Sequence, residues 1–120
     1  MVLRSSRGGP ETSFADAVFR GPAPDGGLYI PAVFSPLRIP QPLGAGAEAF
    51  AAFARQILVQ LLSDEIADSE ISELSEEAFT FAPELTEIAT GHWLLELFHG
   101  PTLAFKDFGA RFLAATLERS

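Results

Sequence analysis

The sequence predicts an α/β protein: a helix-rich small domain with short strands over residues 1–91, then the first strand and helix of a second α/β unit over residues 92–120. Three observations carry this expectation. Apolar residues between 47 and 62 recur at i, i+3, i+4, i+7, the spacing of one buried helix face. A nearly continuous apolar run, His92-Trp93-Leu94-Leu95-Glu96-Leu97-Phe98, meets a Gly-Pro break and then a second helical pattern. Between these blocks, proline and glycine cluster where the chain must turn.

Taken in order, Thr12-Ser13-Phe14-Ala15-Asp16 reads as a helix start. Ser13 is placed to accept from the backbone N–H near Asp16, and Asp16 imperfectly imitates the Glu of a capping box. Arg20-Gly21-Pro22 stops that short helix. Ala23-Pro24-Asp25-Gly26-Gly27 reads as a tight turn whose two glycines permit positive φ. Leu28-Tyr29-Ile30 reads as a short strand closed by Pro31, and residues 31–46, with Pro31, Pro36, Pro40, Pro42, Gly44 and Gly46, read as loop.

The helix over 47–62 buries Phe50, Phe53, Ala54, Ile57, Leu58, Leu61 and Leu62. A second helix starts near Asp68 or Ser69, either of which serves as N-cap. Its inner face is Ile71, Leu74, Ala78 and Phe79, and its wet face is Glu70, Glu73, Glu76 and Glu77. Acidic residues early in a helix suit its dipole, so this run reads as a solvated face and no metal site is expected.

Residues 83–91 read as a linker with some helical potential. The run 92–98 suits a strand buried on both faces, as in a parallel sheet. Residues 105–118 read as a helix burying Phe108, Phe112, Leu113, Ala115 and Leu117. A parallel strand needs a second strand joined by a crossover. None follows, so the pattern suggests the first half of a larger α/β domain. The unpaired strand is expected either to drive self-association through its edge or to pair antiparallel within the small domain.

Composition removes several function classes. A net charge of -8, from 16 acidic and 8 basic residues, argues against nucleic acid and against docking on an anionic membrane. The absence of cysteine excludes disulfides, thiolate nucleophiles and Cys-based metal sites, and fits a cytoplasmic protein. Residues 1–10 lack an apolar signal core, and no apolar run reaches the roughly 20 residues that cross a bilayer.

The one unusual segment is Phe98-His99-Gly100-Pro101-Thr102-Leu103-Ala104-Phe105-Lys106-Asp107-Phe108-Gly109. Lys106 stands at a loop-to-helix junction between two phenylalanines. An apolar setting disfavours the ammonium form, and a neutral amine can attack an aldehyde to give a Schiff base. A helix N-terminus repels a cation and suits a phosphate. Read locally, a lysine beside an aspartate at a helix start is more often a solvated surface residue. Asp107 is expected to cap the following helix.

The string Pro101-Thr102-Leu103-Ala104-Phe105-Lys106-Asp107 resembles the P-T-x-x-F-K-D signature around the cofactor lysine of threonine synthases, and 93–108 as a whole resembles their bacterial and fungal branch. Arg4-Ser5-Ser6-Arg7-Gly8, Ser13-Phe14-Ala15-Asp16-Ala17 and the segment 23–31 are similar, in order and spacing, to that family's N-terminal domain. Ser5-Ser6 departs mildly from the expected S-T-R-G.

The resemblance implies a fold of the PLP-dependent tryptophan-synthase-β-like type, truncated here. It implies pyridoxal 5'-phosphate (PLP) as cofactor, with Lys106 as the residue that carries it and Phe105 beside it. It also implies conversion of O-phospho-L-homoserine and water to L-threonine and phosphate. Thr102 and His99 are further pocket candidates. The family's glycine-rich phosphate loop and its partner for the pyridine nitrogen are expected beyond residue 120, so the chain alone is expected to be inactive. Two alternatives remain open at this point: another PLP lyase, such as a serine/threonine dehydratase or the tryptophan synthase β chain, and a non-catalytic binding or regulatory homologue.

Overall fold

The computed structural model describes residues 1–39 and 44–119. Strands β1 (Leu3–Ser5), β2 (Glu11–Thr12) and β3 (Tyr29–Pro31) form a small antiparallel sheet in the order β2-β1-β3. Along β1 the alternation is strict: Leu3 and Ser5 are buried and Arg4 is exposed. Arg4 lies opposite Glu11 on one side and Ile30 on the other. Neither β1 nor β2 was expected from the sequence, because strands this short carry almost no periodicity.

Helix α1 (Phe14–Arg20) begins as expected, with Asp16 N donating to Ser13 Oγ at 3.0 Å. The turn at 23–27 also forms, closed by Gly26 N to Ala23 O at 2.8 Å. Its two glycines divide the work. Gly26 supplies φ +74°, whereas Gly27 supplies room, since a Cβ there would collide with Ser5 Oγ. Ser5 Oγ donates to Asp25 Oδ1 at 2.7 Å and Gly27 N donates to the same oxygen at 2.9 Å, tying this turn to β1.

Helices α2 (Gly46–Leu62), α3 (Asp68–Ala78) and α4 (Lys106–Arg119) make the core, with α3 packed between the other two. Leu62, Ile71, Leu74 and Ala78 are its most buried apolar residues. Around them the phenylalanines interlock. Phe50 meets Phe79 edge-on at 5.3 Å and Phe108 at 5.5 Å, and Phe79 stacks on Phe112 at 6.2 Å. Helix α3 starts where expected, but its N-cap is Ala67, with no side-chain cap bond. Asp68 and Glu70 lie in the first turn, where they serve the dipole.

The outward acids of α3 are used at its C-terminal end. Glu77 pairs with Arg119 at 2.6 Å, and Arg111 donates to the Ala78 and Glu77 carbonyls at 2.9 and 2.8 Å. A guanidinium on orphan carbonyls both satisfies them and offsets the negative helix end. Helix α4 corrects one expectation. Phe108, Phe112 and Ala115 point inward, but Leu113 and Leu117 are exposed. At 100° per residue, those leucines sit nearly half a turn from Phe108.

The larger corrections concern the segment 83–98. The residues read as a linker form strand β4 (Glu84–Ala89), and β5 (His92–Glu96) pairs with it antiparallel, from Glu84↔Glu96 to Ala89↔His92. Thr90-Gly91 is a two-residue hairpin loop with Gly91 at φ +74°. A loop that short closes the pair locally, so β5 is not a strand of a buried parallel sheet among the described residues. Leu85, Ile88, Trp93 and Leu95 are all more than half exposed. The strand pairs antiparallel within the chain, the second of the two outcomes expected for its edge. The part of the expected loop at 40–43, and residue 120, lie outside the described residues.

At the other end, the Met1 ammonium lies 3.0 Å from Glu65 Oε1 and 3.4 Å from Asp64 Oδ2. The Glu65 carboxylate also accepts from the Phe14 and Ala15 N–H groups, so one side chain caps α1 and holds the amino terminus. Desolvation opposes ionisation of Glu65, yet the Phe14, Met1 and Ala15 donors carry its carboxyl below the ordinary value. Among the described residues, no helix is long and apolar enough to cross a membrane.

Candidate active site

The site is the loop between β5 and α4, and its shape follows from a few residues. Gly100 is buried and starts a turn closed by Leu103 N to Gly100 O at 3.0 Å. Leu103 takes φ +58°, the left-handed region that a non-glycine residue rarely adopts. Such a residue costs on the order of 1–3 kcal/mol and persists only where its surroundings hold it.

They hold it through Asp107. Its Oδ2 accepts from Thr102 N at 2.8 Å and its Oδ1 from Thr102 Oγ1 at 2.5 Å. The carboxylate seats directly against Gly100, where an added Cβ would collide with Oδ2. Asp107 was expected to cap the helix that follows it. Instead it lies within α4, and its carboxylate reaches back to fasten the loop that precedes it. The Thr102 hydroxyl is the main reason its carboxyl titrates below the ordinary range, with desolvation opposing and the Thr102 and Ala104 amides and Arg111 assisting.

Lys106 is the first residue of α4 and is exposed. With Leu97, Phe105, Phe108, Gly109 and Ala110 it lines an open, otherwise apolar depression. Its Nζ has no hydrogen bond or ion pair among the described residues, although Asp107 is its neighbour in sequence. Phe105 stands beside it, largely exposed. Lys106 is also the only lysine in the 120 residues.

His99 and Thr102 lie off this depression. Thr102 is committed to Asp107, while His99 Nε2 bonds Glu96 Oε2 at 2.9 Å and lies 3.9 Å from Glu84 Oε2. These three side chains form a histidine–carboxylate cluster at the open end of the hairpin, its ligand atoms within 4.8 Å of one another. The sequence alone did not reveal it, because Glu84 joins only through the Glu84↔Glu96 register.

The family model for the threonine synthase N terminus matches residues 3–79. The chain belongs to the threonine synthase family. Curated members include the enzymes of Escherichia coli, 38% identical over 110 residues, and Haemophilus influenzae, 36% identical over 112 residues. Each match covers 89% of this chain and 25% of the relative. The E. coli threonine synthase crystal structure aligns with TM-score 0.81 at 33% identity, covering 99% of this chain and 28% of that one. The PLP-bound threonine synthase of Brucella melitensis aligns with TM-score 0.79 at 30% identity, covering 99% and 27%. The mixed helix-and-strand architecture is therefore that of the N-terminal region of threonine synthases. The chain spans about a quarter of the length of the curated relatives it matches.

Three carboxylates of this family member give a pH prediction. Asp25, held low chiefly by the Ser5 hydroxyl, Asp107 and Glu65 all titrate lower in the folded chain than unfolded. A depressed carboxyl contributes stability above its unfolded value, about 3.9–4.3, and loses it as pH falls through the folded value. Thermal melts followed by circular dichroism should give a constant Tm from pH 7 to about 5, then a fall below about pH 4. Ser5→Ala should lower Tm at neutral pH and flatten that acid limb. An acid limb equally steep in Ser5→Ala would remove Asp25 from the account.

Proposed function

We propose that this chain is the N-terminal part of a threonine synthase that converts O-phospho-L-homoserine and water to L-threonine and phosphate, with Lys106 as the residue that carries PLP. The observation that supports it most is the setting of Lys106: a solitary lysine at the entry of α4, on an apolar depression, without a counter-ion among the described residues. The residues present fit the cofactor, since an unpaired exposed amine suits condensation with an aldehyde and the helix entry suits an anion. When bound, PLP supplies an electron sink for bond-breaking at the substrate carbons.

The chain's own residues have narrower tasks. Lys106 tethers the cofactor and, once released from it, holds or moves a proton at its Nζ. Phe105 forms an apolar wall beside that amine. The loop 100–105, braced by Asp107, fixes where the lysine leaves the backbone. By itself the 120-residue chain is expected to take up PLP weakly at Lys106 and to release no phosphate from O-phospho-L-homoserine. Borohydride reduction after incubation with PLP, followed by peptide mass spectrometry, should place the reduced adduct on Lys106. An adduct found only on the Met1 amine would defeat the cofactor assignment, and clear phosphate release would defeat the claim that the chain alone is inactive.

A further inference from the structure

We propose that the Thr102–Asp107 clasp is a positioning device that withholds the Asp107 carboxylate from Lys106 and leaves the lysine amine without a counter-ion. An aspartate next to a lysine at a helix start leaves the helix at a different angle, so it reaches the lysine only if its carboxylate is free to turn. Here both carboxylate oxygens are engaged by Thr102, one by its N–H and one by its hydroxyl. The absent side chain of Gly100 leaves the space in which that carboxylate lies. Leu103 adopts its left-handed conformation inside the same turn, which shows the loop held to a shape it does not prefer.

Several other charged groups on elements around α4 have partners of their own. Glu73 and Glu77 of α3 pair with Arg119, Asp16 of α1 pairs with Arg20, and Glu84 and Glu96 of the hairpin face His99. Arg111, on α4 itself, is spent on the carbonyls that end α3. Asp107 is the acid nearest to Lys106 in sequence, and the clasp keeps its carboxylate on Thr102. An amine with no carboxylate seated on it is open to an incoming aldehyde. The importance of this device rests on Lys106 being the cofactor lysine, but its test does not.

The chain offers only two amines, Lys106 and the Met1 terminus, so an amine-acylating succinimidyl ester followed by mass spectrometry reads both in one experiment. Thr102→Val removes the hydroxyl donor and releases one carboxylate oxygen, leaving the other on the backbone N–H of residue 102. Labelling of Lys106 relative to Met1 at pH 8 should fall about two- to five-fold, the worth of an exposed ion pair. Thr102→Ser should keep the parent rate. Adding Asp107→Asn to Thr102→Val should restore the rate, because the carboxylate charge is then gone. Gly100→Ala expels the carboxylate by another route and should give the same fall and the same restoration, so the test survives misfolding of either variant. An unchanged rate in both single variants, or a fall that Asp107→Asn does not reverse, would overturn the proposal. Failure of PLP trapping would leave these rates untouched, which separates this inference from the functional reading.

Discussion

Lys106→Ala, in a chain of the relatives' full length, is expected to lower phosphate release from O-phospho-L-homoserine by at least about 10²–10⁴-fold, the range attributable to a positioned proton-transfer group alone. Loss of the covalent tether adds to that. The same substitution should leave the fold intact. Lys106 is exposed and unpaired among the described residues, so its removal should change stability by no more than about 0.5 kcal/mol. Alanine is also the better helix former. Activity lost at constant Tm is therefore the expected signature. Lys106→Arg should be equally inactive, because a guanidinium keeps the charge but stays protonated and cannot condense with the aldehyde. Substantial turnover in either variant would show that another group does the work assigned to this lysine.

Leu74→Ala is expected to have the opposite profile, a large loss of stability. Leu74 is 1% exposed and sits on α3, the helix enclosed by α2 and α4. Truncating a buried leucine costs about 2–5 kcal/mol, the transfer term plus the cavity left behind. For a domain of this size, a loss of about 3 kcal/mol corresponds to roughly 10 °C in Tm. The control is Leu113→Ala on α4, 45% exposed, which should cost no more than about 0.5 kcal/mol. The pair tests the helical phase directly: equal losses at the two positions would mean that α4 buries its leucines after all. Thermal melting of both variants decides it.

Much of this was legible in the residues. Helical period placed α2 and α4, the Ser13 cap placed α1, and Pro and Gly placed the turn at 23–27. What the residues concealed had physical causes. The apolar run at 92–98 fits a doubly buried strand and an exposed hairpin strand equally well. Only the Thr90-Gly91 loop distinguishes them, and threonine there is a weaker signal than asparagine or aspartate. The leucines of α4 are apolar but out of phase with its phenylalanines. Asp107 looks like a cap from sequence, because the direction in which a carboxylate reaches is a matter of loop shape. In the site, sequence singled out Lys106 but not the contact between Gly100 and Asp107 that shapes its approach.

The Thr90-Gly91 turn has a kinetic consequence. Strands joined by two residues meet without waiting for distant parts of the chain, within about 1–10 μs for an ordinary hairpin. The three-helix core must instead bring together segments far apart in sequence, at a greater loop-closure cost. A two-stranded ribbon exposed on both faces is only marginally stable. In the 120-residue chain alone it is therefore expected to open and re-form many times while the helices stay packed. Taken alone, the chain thus gives the loop bearing Lys106 one restless anchor and one steady one.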